Sequence, residues 1–425
     1  MTRLTFVAAL ATAACGDGLR SGQSTAPWQT TFDSTGDTIV ARTSGEVPNA
    51  AERHLVLEQR IGEAEGNDTV TFGRIEHIAI TSDGHLFVFD GQGPSLKLFD
   101  PSGKLVRFVG RKGGGPGEFE QVTGMGMLPN DRVALWDASH GRVNIYTAAG
   151  DLSTQWRVPV SGFFSSEGLQ TDNTGSIVLR MPIAADKAKG AIGTIALVRF
   201  DSAGVVRDTI AIPTWIQPPP GLQAQNERSR SARTLPFAPR VAFAWSRSGA
   251  LLSGPGKPYV IYLTHGVGPA RRIEQNRPPV RVLPDEADEV RSELTWAMRT
   301  VDPTWSWTGP GLPDTKPAYE RLQSGEDARI WVKLHTTAER VEPEEPPPPQ
   351  PGQSPRPVRR YVEPNVYDVF DPAGIYLGRV RGDRSHRFIR MSGNRVWGVL
   401  TDSLGVAYVA RWRVEPPFSS PVFTR

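Results

Sequence analysis

Apolar residues arrive in short bursts along most of this chain, and polar turn residues separate them. From Ile75 to Phe119 there are four bursts: His77-Ile-Ala-Ile80, His85-Leu-Phe-Val-Phe89, Leu96-Lys-Leu-Phe99 and Leu105-Val-Arg-Phe-Val109. Each has strand length and is rich in β-branched or aromatic residues. Ser82-Asp-Gly84, Gly91-Gln-Gly-Pro94 and Pro101-Ser-Gly103 break them. Asp-Gly and Ser-Gly supply the positive φ that tight hairpins need. The pattern predicts a meander of four antiparallel strands.

The meander recurs. Met125-Gly-Met127, Val133-Ala-Leu-Trp136, Val143-Asn-Ile-Tyr146 and a strand near Gln155–Val158 repeat it. The spacing is about 45 residues, the length of a four-stranded propeller blade. Phe89-Asp90 and Trp136-Asp137 fall at equivalent places. So do Phe99-Asp-Pro-Ser-Gly103, Tyr146-Thr-Ala-Ala-Gly150, Ser202-Ala-Gly204 and Asp371-Pro-Ala-Gly374. Blades are expected at 75–119, 120–161, 167–213, 240–283, 318–382 and 386–413. The last offers three strands, and an open ring would leave an exposed edge. Leu55–Gln59 can supply the fourth. The expected fold is all-β: a six-bladed β-propeller over residues 51–415, closed by an N-terminal strand, with one inserted helix.

Several segments also carry a family resemblance. Arg60-Ile-Gly62, Phe72-Gly73, Asp83-Gly84, Val88-Phe-Asp90, Phe99-Asp100 and Val109-Gly-Arg-Lys-Gly-Gly-Gly-Pro-Gly-Glu-Phe119 resemble the opening of bacterial six-bladed propeller lipoproteins, relatives of the NHL-repeat and TolB-like propellers. Pro236-Phe-Ala-Pro239, Trp245-Ser-Arg-Ser-Gly249 and Tyr259-Val-Ile-Tyr262 are similar to their fourth blade. The resemblance implies fold and export, and no particular reaction.

The ends fit that implication. One charge, Arg3, precedes the apolar run Leu4–Ala11, which is too short to span a bilayer. Thr12-Ala-Ala14 then leads into Cys15, the single cysteine of the chain. Small residues before a cysteine resemble a lipobox. Residues 1–14 are therefore expected to be a signal peptide, Cys15 the lipidated N-terminus, 15–50 a tether and 416–425 a tail. The protein would then be exported and anchored by lipid to the cell envelope. The 48 basic residues nearly balance 45 acidic ones. No basic stripe suited to a phosphate backbone appears, which argues against nucleic acid.

Extra sequence concentrates near 182–193, 213–240, 284–317 and 336–360. In a propeller these all lie on the face of the b–c loops and the crossings between blades. Loops carry binding while strands carry scaffold, so that face is the expected functional one. Pro284–Met298 reads as a helix, with proline and acids at its start. Trp305 and Trp307 follow; they either stack on a ligand or cover the helix. Arg228, Arg230 and Arg233 either meet an anion or sit in a solvated loop. The proline-rich stretches 342–351 and 355–360 should be extended or disordered. Arg111 and Lys112 flank a glycine run that can form an anion nest, or can simply cross between blades.

Catalytic signals are sparse. No Gly-x-Ser-x-Gly elbow occurs, and no cysteine nucleophile remains after processing. Glu76, Glu167 and Glu320 lie at the expected channel ends of three blades and can offer oxygen ligands to Ca2+ or another divalent cation. The reading is a tethered binding or scaffolding protein without a cofactor, engaging an envelope protein or small ligand through blades three to five. The alternative is a lactonase-like hydrolase or lyase with a channel cation.

Overall fold

The computed structural model describes residues 28–45, 52–66, 71–158, 168–183, 194–217, 219, 221–266, 270–343, 349 and 354–418. The expected signal peptide, Cys15 and Glu167 lie outside these residues. Six antiparallel sheets form the body, each with strands a to d running outward from a central axis. Blade one holds Ile75–Ile80, Leu86–Asp90, Ser95–Phe99 and Leu105–Arg111. Blade two holds Val122–Leu128, Arg132–Asp137, Arg142–Tyr146 and Leu152–Arg157. Blade three has a short inner strand, Gln170–Thr171, then Ile177–Ile183, Thr194–Phe200 and Val206–Ala211. Blades four and five run Ala242–Trp245 to Ala270–Gln275 and Tyr319–Ser324 to Tyr376–Gly382. In blade six, His386–Ser392, Arg395–Thr401 and Ala407–Glu415 are joined by His54–Ile61, which pairs antiparallel with Ala407–Glu415 as the outermost strand.

The turns explain why these strands stop where they do. Asp100 accepts hydrogen bonds from the N–H groups of Ser102 and Lys104 at 2.9 and 3.0 Å. Gly103 follows at φ +92°, a conformation costly for any residue with a Cβ. Asp201 accepts in the same way from Ala203 and Val205. The repeated Phe-Asp and Trp-Asp pairs have a structural role too. Buried Asp90 accepts from the backbone of Gly73 and Arg74, and Asp137 from Glu120 and Gln121. Each carboxylate thus clips the end of a b strand to the segment entering its own blade.

Between every pair of neighbouring blades lies an apolar layer. Phe89, Phe119 and Tyr146 help fill the first, and Trp136, Ile177 and Phe200 the second. Val178 and Trp245 join blades three and four; Ile261, Tyr319 and Phe370 join four and five. Trp331, Val380 and Trp412 join five and six. Ile78 and Phe99 meet Val399 and Val409 across the last gap, so the ring has no unfilled seam.

The chain departs from the expected outline in three places. The segment assigned as a tether contains a hairpin, Gln29–Thr35 and Thr38–Ser44, whose second strand pairs in parallel with the outer strand of blade four. Its mostly polar residues gave no strand signal, yet the unpaired edge beside it supplies the partners. The polar loop carrying the three arginines is also a hairpin, Gly221–Gln225 with Arg230–Thr234. The expected tail begins with an ordered turn: Phe418 is buried against Trp331, and its N–H donates to Asn394 Oδ1 at 2.8 Å.

Candidate functional site

The helix α1 spans Pro284–Arg299, as its proline and acidic first turn foretold. Leu294 and Met298 pack with Val301, Trp305 and Trp307, and this layer rests on Leu222, Ala224 and Leu235 of the hairpin. Two of the long additions, 213–240 and 284–317, therefore share a core of their own. The other side of α1 is held by the insert of blade five. Glu289 accepts from the N–H groups of Arg360 and Tyr361 at 2.8 and 3.0 Å. Glu293 pairs with Arg356 at 2.6 Å, and Trp296 Nε1 donates to the Ser354 carbonyl. The proline-rich stretch 354–360 is irregular, as expected, yet docked.

A buried ion cluster ties this module to the ring. Lys316 Nζ is fully buried and contacts Glu286 of α1 at 2.7 Å, Glu363 at 3.0 Å and the Thr336 carbonyl at 2.8 Å. Burying one ammonium requires such company. Burial works to raise Glu363, but His335 and Lys316 together hold its carboxyl below the usual range.

A groove of about 920 Å3 opens on the same face, between the blade-five insert and blade six. Arg356, Arg359, Arg384 and Arg387 line it, with Asp383 and Asp402. Both acids accept hydrogen bonds from their own turns. Asp383 accepts from Ser385, and Asp402 from Leu404, Val406 and the Tyr408 hydroxyl, and these bonds depress both pKa values. Of its four guanidiniums, Arg356 and Arg359 share Glu293 at 2.6 and 3.5 Å and Arg387 donates to the Ile75 carbonyl, while Arg384 is exposed.

The axial channel is crossed by side chains from distant parts of the sequence. Arg247 of blade four and Arg390 of blade six both face Glu326 of blade five, at 3.1 and 3.5 Å. Arg247 also donates to the Met127 carbonyl at 2.7 Å, and Arg390 donates to the Met125 carbonyl. Burial, together with the charge of Arg390, pushes His77 down to about 4.

The residues proposed from sequence scatter over these features. Trp305 is buried, with Nε1 donating to the Gln223 carbonyl, and Trp307 Nε1 donates to the Pro310 carbonyl. Both pack in the layer against the helix, Trp307 only half-buried. Arg228, Arg230 and Arg233 sit on the hairpin, where Arg230 donates to Gln223. Arg111 pairs with Glu118 at 3.1 Å, while Gly115 N–H donates to the same carboxylate at 2.9 Å. Glu118 thus occupies the nest that an outside anion would need. Lys112 bridges to Phe119 through its backbone in the same folded-back run.

Glu76 and Glu320 are both bulged residues of inner strands, skipped by the register. A bulge re-aims its side chain. Here Glu76 meets Arg74 at 2.8 Å, and Glu320 meets Lys333 at 2.8 Å and Arg321 at 3.3 Å. Among the described residues no three His, Cys, Asp or Glu side chains gather as a metal site, and no helix is long and apolar enough to cross a membrane. Arg247, Glu326 and Arg390 had no sequence signature, because only the ring brings them together.

No curated protein matches the chain in sequence. Among solved structures, a member of the duf4221 family from Bacteroides vulgatus is 10% identical, covers 86% of this chain and 99% of its own, and gives a TM-score of 0.47. A streptogramin B lyase structure is 10% identical over 85% of this chain and 98% of that one, with a TM-score of 0.40. A gluconolactonase from Xanthomonas campestris is 9% identical over 85% and 94%, with a TM-score of 0.35. Residues 63–172 match the sequence model of a family described as 6-bladed beta-propeller. With six sheets around one axis and that match within the first three, the chain is a six-bladed β-propeller.

Proposed function

We propose that this protein is a lipid-anchored binding protein of the cell envelope, and that its loop-rich face holds an acidic segment of another envelope protein. The observation that carries this is the module itself. Additions from separate crossings share one apolar core on one face, and with blade six they frame a groove lined by four arginines against two aspartates. Tolerated drift would leave such additions independent of one another. Charge at an interface rim governs partner choice and encounter rate more than affinity. The groove therefore selects by sign, and the module around it supplies shape. The tether follows from the run before Cys15.

The test uses purified protein and a fluorescent polyglutamate peptide. Binding should weaken at least tenfold in the Arg359→Glu/Arg384→Glu variant and fall steeply with added salt. Equal binding by both proteins, or none by either, overturns the acidic-partner reading. For the anchor, Cys15→Ala should move the protein from the membrane to the soluble fraction; unchanged partition overturns that part alone.

A further inference from the structure

Inner strands of five blades line an axial cavity of about 290 Å3. Its charges do not balance. Arg247, Arg321 and Arg390 line it, against Glu326 alone. That carboxylate is shared between Arg247 and Arg390. Arg321 turns to Glu320 at 3.3 Å, but Glu320 already holds Lys333 at 2.8 Å. Four cations therefore meet two carboxylates, an excess of two positive charges around a partly open cavity. His77, held neutral at ordinary pH, adds nothing to either side. At the mouth Arg387 donates to the Ile75 carbonyl near Glu76, and Glu76 itself pairs with the more exposed Arg74.

Buried charge is tolerated when it is paired. The polar atoms facing the cavity are also incompletely used. Gln323 lines it, and its Oε1 is buried with no hydrogen-bond partner; Arg390 Nε and Arg247 Nε have ionic contact with Glu326 but no hydrogen bond. The unmet needs are thus two negative charges for guanidiniums and one donor for an amide oxygen.

We infer that the axial cavity is a binding site for a short hydroxylated dicarboxylate. Each carboxylate is planar and matches the fork of a guanidinium, which a spherical anion does not. Two of them cancel the excess. A hydroxyl between them donates to Gln323 Oε1. The volume equals that of roughly ten waters at about 30 Å3 each, which limits the ligand to about ten non-hydrogen atoms. This site is separate from the groove on the loop-rich face. Arg321, whose side chain is 58% exposed, stands on the open side of the cavity, and Arg390, 23% exposed, lies deeper.

The probes are L-malate, succinate, the uncharged diamide of malate, and sulfate, titrated calorimetrically into the full protein. L-Malate should bind one to one, and the diamide should not bind. Succinate should bind about tenfold more weakly, the worth of one hydrogen bond. Arg321→Gln, chosen because its side chain is half-exposed, should weaken L-malate at least tenfold while its far-ultraviolet spectrum and unliganded Tm stay as in the parent. Gln323→Leu should erase the advantage of L-malate over succinate. Absence of binding at millimolar L-malate overturns the inference. So does sulfate binding as tightly as L-malate, or unaltered L-malate affinity in Arg321→Gln.

Discussion

Blades one and two differ sharply from blades four and five. In the first pair nearly every connection is a short turn, and the sheets hold four strands. In the second pair the outer edge of blade four carries an added antiparallel hairpin docked in parallel, and helix α1 and two inserts ride on the loop face. Yet the inter-blade layers of both regions are alike, filled with buried aliphatic and aromatic side chains. The ring is thus a common chassis, and its elaborations are attached by other means. One such means is ionic: Lys316 is enclosed by a carboxylate from α1 and another from the blade-five insert. Regular blades can be read from sequence repeats; attachments are recognised by what they bury.

The comparison breaks most visibly at that lysine. Lys316→Met leaves Glu286 without its cation and Glu363 with His335 alone, and breaking a buried pair in this way costs about 4 kcal/mol. Hydrogen exchange should rise through 284–299 and 221–234 while 75–111 keeps its protection. A uniform rise everywhere would mean that ring and module unfold as one. Met298→Ala comes next. Met298 is fully buried in the module core, and truncation should cost about 3 kcal/mol with the same local pattern.

A pH experiment probes the channel. His77 is depressed to about 4 by burial and neighbouring arginines, whereas an unfolded histidine titrates near 6.5. Between those values the unfolded chain binds the proton that the folded one refuses. This contribution is fully present above about pH 6.5 and is lost as the pH falls through about 4. The loss should approach about 2 kcal/mol once partial exposure is allowed for. Urea denaturation at pH 7 and pH 4.5 should show a smaller drop in His77→Gln than in the parent. The smallest effect is expected in the regular region. Gly150 closes a c–d turn at φ +84°, with Val109 against the place a Cβ would take, so Gly150→Ala should cost about 1 kcal/mol by thermal unfolding.

Much of the ring was legible in the chain because each blade announces itself locally. Asp100 and Gly103, or Trp136 and Asp137, sit close in sequence to the groups they serve. Helix α1 was equally plain, since proline, acids and apolar spacing lie within one segment. The hairpins 29–44 and 221–234 were not, because their mostly polar strands derive partners from an edge or a module assembled elsewhere. The glycine run left two readings open, and only the fold places Glu118, seven residues after Arg111, against its backbone. The channel arginines stayed hidden because positions 247, 326 and 390 become neighbours only after the circle is complete.

The pairing of His54–Ile61 with Ala407–Glu415 has a temporal consequence. A ribosome or export channel delivers the first of these segments long before the second. Until the later one emerges, the sixth sheet lacks three of its four strands and the first blade lacks a neighbour on one flank. Such a chain collapses blade by blade but locks only at the end of its delivery, so a holding factor has most to protect during that interval.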